Sequence, residues 1–109
     1  MISKCKKWDI VWTDINPTKG NEMKKTRPCI VLSPNAINNT LNIVTIAPLT
    51  STIKELPTRV AIVHNRKKSD VCIEQIRTIS KDRIVSIDKQ PIKEEYRELV
   101  LLTIFEYFK

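Results

Sequence analysis

Arg27 is the residue of this chain whose surroundings first suggest chemistry. It follows the segment 16–26, which carries Lys19, Lys24 and Lys25, a single acid, Glu22, and the only glycine of the 109 residues, Gly20. A lone glycine implies a backbone need, either positive φ or close approach of a ligand. Pro17 restricts the start of the segment, and Pro28 forces Arg27 into an extended conformation. Arg27 is thereby held at the mouth of a strand, where its guanidinium is aimed. An aimed arginine and an acid on a basic loop suit a phosphate-containing ligand. A solvated hairpin loop with an ordinary surface arginine accounts for the same residues. Further on, Pro48 and Leu49 lead into Thr50, Ser51 and Thr52, three hydroxyls at a strand end.

Other chemistries lack their residues. His64 is the only histidine, and it precedes Asn-Arg-Lys-Lys in a polar turn, which places it at the surface. Two-histidine acid–base catalysis and a histidine-rich metal site are therefore excluded. Cys5, Cys29 and Cys72 are far apart and show neither a disulfide framework nor zinc-ligand spacing. Cys29 and Cys72 read as buried thiols in strands. No metal or other cofactor is expected.

A chain of 109 residues suits one domain, 1–109, with one modest core. No run is long enough for a membrane span, and the N-terminus lacks the apolar stretch of a secretion signal, so the cytoplasm is expected. The net charge of +7 is unevenly distributed. Residues 1–91 hold 16 Lys/Arg against 8 Asp/Glu, whereas residues 92–109 hold 3 against 4. The excess lies on the strand-and-loop part, as for a nucleic-acid or acidic-peptide binder, although solubility alone would also need it.

The elements that must position these residues are short. Residues 8–15 alternate as a strand, with Trp8, Ile10, Trp12 and Asp14 on one face and Asp9, Val11, Thr13 and Ile15 on the other. Residues 29–33 are a second strand, with Pro28 at its first position. Ala36-Ile37 makes at most one helical turn between turn signals that include Asn38-Asn39. Residues 41–47 read as a central strand that Pro48 ends. Residues 59–63 are a strand, 64–69 a basic turn, 71–74 a strand, 80–83 a helical turn capped by Ser80, and 84–87 a last strand. After Pro91, Ile92, Tyr96, Leu99, Val100, Thr103 and Ile104 recur at helical spacing, opposite Lys93, Glu94, Arg97 and Glu98. Phe105, Tyr107 and Phe108 add apolar surface beyond that face, which predicts a partner subunit. The expected architecture is a mainly β, antiparallel barrel or compact sheet with an amphipathic C-terminal α-helix.

Several blocks in order carry a resemblance. They are Asp9-Ile10-Val11-Trp12, then Asn16 to Glu22, then Arg27-Pro28 running into Ile30-Val31-Leu32-Ser33, then Asn38-Asn39. Ala47-Pro48-Leu49-Thr50, Leu56-Pro57-Thr58 and Glu74-Gln75-Ile76-Arg77-Thr78-Ile79 follow. Together they resemble the MazF/PemK toxins, the endoribonucleases of type II toxin–antitoxin pairs, over essentially the whole chain. The resemblance implies a small SH3-like, plasmid-maintenance-toxin barrel and a homodimer. It implies metal-independent, sequence-specific cleavage of single-stranded RNA to 2′,3′-cyclic phosphate and 5′-hydroxyl ends. It also implies neutralisation by an acidic MazE/PemI-like antitoxin. The family's catalytic residues map onto Arg27 and Thr50, and its loop acid onto Glu22. Asn16, Lys19, Lys24, Lys25, Ser51, Lys54, Gln75 and Arg77 are the corresponding RNA-binding candidates, and Glu74 is a possible supporting acid. Some relatives carry an arginine two residues before that acid. Cys72 stands there in this chain.

The residues suit that chemistry. The 2′-hydroxyl is tethered to the phosphorus it attacks, so alignment supplies much of the catalysis. Arg27 offers a planar fork of donors to the phosphoryl oxygens. Thr50 can hold the 2′-hydroxyl or a phosphoryl oxygen in line. A guanidinium is a poor base, so Glu22 is the better proton acceptor if desolvated. Two other classes compete: a gyrase-poisoning toxin on the same barrel, and an SH3-like peptide-binding module. The latter needs clustered aromatics in a groove, whereas aromatics make up only 6% of this chain.

Overall fold

The computed structural model describes residues 4–14 and 26–109. Its strands are β1 (Ile10–Thr13), β2 (Arg27–Val31), β3 (Ile43–Thr50), β4 (Arg59–His64), β5 (Lys67–Cys72), β6 (Arg77–Ser80) and β7 (Ile84–Ile87). Two helices, α1 (Asn35–Asn38) and α2 (Glu94–Phe108), and two 3-10 turns, Ile73–Gln75 and Lys81–Arg83, complete it. All pairings are antiparallel. The order across the sheet is β4-β5-β3-β2-β1-β7, with β6 also on β3. The expected mainly β architecture with one C-terminal helix is what forms. It is a curled sheet, a half-barrel, with β4 and β7 at the two ends.

The curl buries both faces of the central strands. One core joins Ile10, Ile30, Leu49, Val60, Ile62 and Val71 to Ile92 and Val100. The other collects Cys5, Val11, Cys29, Val31, Val44, Ile46, Ile79 and Ile84 on the opposite face. This is why β2 reads as a continuous apolar run rather than an alternating one. Side chains tie the two ends of the sheet together. His64, at the end of β4, bonds through Nε2 to Asp88 Oδ2 at 2.9 Å, just past β7. Tyr96 on α2 accepts the Val63 N–H through its hydroxyl oxygen at 3.1 Å.

Several local expectations are corrected. β1 starts at Ile10, not at residue 8: Trp8 has φ of 78° and sits in a turn, packed beneath the Arg97 guanidinium at 5.8 Å. β2 begins at Arg27, so Pro28 is its second residue. Pro48 does not end its strand. β3 runs through it to Thr50, paired on one edge with β2 through Cys29↔Pro48. On the other edge β3 changes partner there, from β6, whose register ends at Ile46↔Arg77, to β5, whose register begins at Leu49↔Val71. A proline is tolerated where the ladder is already broken.

Residues 64–69 are not one turn. Asn65 and Arg66, with φ of 52° and 66°, form a two-residue hairpin loop between His64 and Lys67. β5 therefore starts at Lys67, and residues 73–75 are a 3-10 turn rather than strand. His64 is partly buried by its bond to Asp88, not a plain surface residue. On α2, Val100 is buried and Tyr96, Thr103 and Ile104 are partly so, but Leu99 is exposed. Arg97 is not on a solvent face: its Nε and Nη2 donate to the Ile92 carbonyl at 3.2 and 2.9 Å. The short turns hold as expected. Ser80 caps its 3-10 turn by accepting the Asp82 N–H. All three cysteines are buried and free.

Candidate active site

The ends of β2 and β3 lie side by side, and that adjacency builds the site. Arg27, the first residue of β2, and Thr50, the last of β3, line one cavity of about 230 Å³ together with Lys54, Arg59, Cys72 and Gln75. Thr50 has a defined hydroxyl geometry, because its Oγ1 accepts the Thr52 N–H at 3.1 Å. That bond uses a lone pair and leaves the O–H able to donate. The strand-end cap and a role in the cavity are thus compatible in one side chain.

Asp70 lies directly across the ladder from Thr50 and is 1% exposed. It accepts the Lys54 N–H at 2.9 Å, which fixes the backbone of the loop after β3. Arg59 is the residue that sequence reasoning missed. It is the ladder partner of Cys72, so a guanidinium reaches this cavity from β4 although position 72 carries a thiol. Its Nη2 meets Glu74 Oε2 at 2.8 Å, its Nε meets both Glu74 oxygens, and its Nη1 lies 3.5 Å from Asp70. Partial burial pushes the Glu74 carboxyl up. The hydrogen bonds from Arg59, from its own backbone N–H and from Thr58 outweigh this and hold it at about 2. Glu74 is therefore ionised near neutral pH and fixed in place, which suits positioning rather than proton transfer. Burial pushes the Cys72 thiol up, which makes it a poor nucleophile.

Arg27 and Thr50 are shared with a second cavity of about 420 Å³ on their other side. Its walls include Trp12, Ser51, His64, Lys67 and Asp88. Of the residues expected from sequence, Arg27, Thr50, Lys54 and Gln75 meet at the first cavity and Ser51 at the second. Glu74 stands next to Gln75, in contact with Arg59. Arg77 opens β6 opposite Ile46 and lines neither cavity. Asn16, Lys19, Gly20, Glu22, Lys24 and Lys25 lie outside the described residues. Among the described residues, no group of three or more His, Cys, Asp or Glu is placed to hold a metal ion. No described helix is long and apolar enough to cross a membrane.

Comparison with known proteins bears on the family and the fold. The chain is 32% identical over 72 residues to the "Endoribonuclease toxin MazF" of Escherichia coli K12, covering 66% of this chain and 65% of that one, just under two thirds of its length. It is 33% identical over 85 residues to the "Endoribonuclease EndoA" of Bacillus subtilis 168, covering 72% and 73%. Its fold matches a mycobacterial endoribonuclease solved in complex with its cognate antitoxin, with a TM-score of 0.81 at 18% identity over 96% and 95% of the two chains. It also matches a MazE–MazF structure from Deinococcus radiodurans, with a TM-score of 0.80 at 21% identity over 95% of each chain. The family pattern described as "PemK-like, MazF-like toxin of type II toxin-antitoxin system" spans residues 6–104, and the chain belongs to that family.

Proposed function

We propose that this protein is an endoribonuclease toxin that cleaves single-stranded RNA without a metal, at sites chosen by sequence. The observation that carries the reading is the convergence of Arg27, Thr50 and Gln75 on one polar cavity at the joined ends of β2 and β3. The 2′-hydroxyl attacks the adjacent phosphorus and loses its proton, and the 5′-oxygen leaves and gains one. The products are a 2′,3′-cyclic phosphate and a 5′-hydroxyl. Arg27 neutralises the extra charge on the phosphoryl oxygens, and the Thr50 O–H holds the reacting group in line. Glu22 is the proposed proton acceptor. Lys54 and Gln75 hold the strand beside the scissile bond. Arg59, clamped by Glu74 and Asp70, is a rigid wall that keeps the cavity open. Because the nucleophile belongs to the substrate, DNA is not cut.

Incubating purified protein with single-stranded RNA in EDTA tests this. Cleavage is expected to proceed, leaving cyclic phosphate and 5′-hydroxyl ends. Activity that disappears on chelation and returns with magnesium would overturn the mechanism. Intact RNA together with inhibited supercoiling would favour the gyrase-poison reading.

Partners belong to the same proposal, with the cytoplasm as the place of action. A homodimer is supported by α2, where Leu101, Leu102, Phe105, Tyr107 and Phe108 are all exposed, more apolar surface than a solvated helix normally leaves. An acidic antitoxin segment suits the basic face around Arg27 and would compete there with RNA. Sedimentation velocity at micromolar protein, with labelled RNA and an acidic antitoxin peptide, reads both. A dimer whose RNA is displaced by the peptide is expected. A monomer, or RNA and peptide bound together at one protomer, would contradict the proposal.

A further inference from the structure

Arg27 and Thr50 stand on the ridge between two cavities, and the cavities differ in chemistry. The smaller one presents Lys54 and Gln75, groups suited to phosphate and sugar oxygens, against the wall made by the clamped Arg59. The larger one is floored by Ile10 and Leu49, flanked by Trp12 at 37% exposure, and closed at its far side by the His64–Asp88 pair. A phosphodiester held on the ridge must place one neighbouring nucleoside on the larger side. An indole and apolar floor suit the face of a base. Lys67 also lines this cavity, so its charge is mixed, and it is the apolar floor and the indole rather than charge that set it apart from the smaller one.

Asp88 is also a built acceptor rather than a stray surface acid. Its Oδ2 takes the bond with His64 Nε2 at 2.9 Å and a second from Asn65 Nδ2 at 3.3 Å. Both bonds fall on one oxygen and hold the carboxylate in a fixed orientation. Oδ1 accepts from none of the described residues. An oriented carboxylate oxygen recognises an exocyclic amine of a nucleobase, in the way an acidic side chain accepts from cytosine N4.

Resting on the ribonuclease reading above, we propose that the cavity between Trp12 and the His64–Asp88 pair is a nucleobase subsite next to the scissile bond. Trp12 is its stacking platform. Asp88 selects cytosine, adenine or guanine, each of which carries an exocyclic amine, over uracil, whose one ring donor, N3–H, is flanked by two carbonyl oxygens that repel a carboxylate. Specificity at that position is set by these residues rather than by the basic loop.

The test is end-sequencing of a randomised single-stranded RNA library cut by the wild type and by Asp88→Asn. Failure of the wild type to cut any RNA removes the ribonuclease reading itself. Given cleavage, the wild type is expected to exclude uracil at one position flanking the cut. Asp88→Asn, whose amide can donate to uracil O4, is expected to admit it, with a shift of about tenfold or more in the uracil ratio at that position alone. An unchanged cleavage pattern overturns the proposal, as does a wild type that accepts uracil on both sides.

A second measurement covers a variant that does not cut. Binding of oligonucleotides with a 2′-deoxy scissile residue, carrying cytosine or uracil at that position, is read by filter retention. The wild type should prefer cytosine, Asp88→Asn should lose the preference, and Trp12→Ala should weaken both by about tenfold. An unaltered preference in Asp88→Asn, loss of binding to both oligonucleotides in Asp88→Asn, or unaltered affinity in Trp12→Ala overturns the proposal.

Discussion

Arg27→Ala is expected to lower the rate of RNA cleavage by about 100-fold or more while leaving the unfolding midpoint nearly unchanged. The two halves of that expectation have separate causes. Arg27 is exposed at the first position of β2, where its side chain contributes little to the core. Its proposed role is to meet charge that develops in the transition state, so its loss is expected to fall on the chemical step rather than on RNA binding. Arg27→Lys is expected to be nearly as inactive, because a point charge cannot contact two phosphoryl oxygens as a planar fork does. Single-turnover cleavage of a defined oligonucleotide, alongside thermal unfolding, checks both variants. Normal cleavage by Arg27→Ala would mean that the site has been placed on the wrong residues.

The largest effect on stability is expected from Asn38→Ala, at about 2–4 kcal/mol. Asn38 is fully buried in α1. Its Oδ1 accepts from Ser33 Oγ at 2.6 Å and its Nδ2 donates to the Ser33 carbonyl at 2.9 Å. Its own carbonyl accepts from Lys81 Nζ, which ties α1 to the 3-10 turn before β7. Ser33 Oγ in turn accepts the Thr45 N–H at 3.0 Å, so the network reaches β3. Removing the amide leaves buried polar groups at Ser33 without their partner and opens a void. Asn39→Ala, one residue along and exposed, is expected to change stability by less than about 0.5 kcal/mol. Urea denaturation of the two variants separates these outcomes. Equal midpoints would show that the network contributes nothing net.

Much of this was legible in the sequence. Short β-branched runs, turn residues and one late helical period are enough to read a small antiparallel sheet with a terminal helix. The Arg27-Pro28 pair and the Thr50 strand end were visible because local chemistry marks both. Arg59 was not visible, because its place depends on hairpin register. An Asn65-Arg66 loop carries no glycine, so nothing in the string centres the hairpin there and puts Arg59 opposite Cys72. Pro48 misled for a related reason. A proline breaks a strand unless the neighbouring ladder has a gap at that point, and the gap arises from the order of β6 and β5 around β3. The apolar face of α2 was read too broadly at Leu99, since periodicity marks a face and cannot say how much of it the core covers. His64 and Asp88 are 24 residues apart and meet only because the sheet curls.

The three buried thiols also make this molecule its own probe of opening. Burial pushes each of Cys5, Cys29 and Cys72 up from its ordinary value, so little thiolate is present at neutral pH. They lie in three different places: ahead of β1, in the middle of β2, and at the end of β5. A thiol-reactive dye therefore reads opening of the fold in the unaltered sequence. Labelling at Cys5 follows release of the N-terminal segment and labelling at Cys29 follows loss of the central sheet, whereas Cys72 also lines the first cavity and is approached from there. The same burial shields the sulfurs from oxidants while the chain is folded.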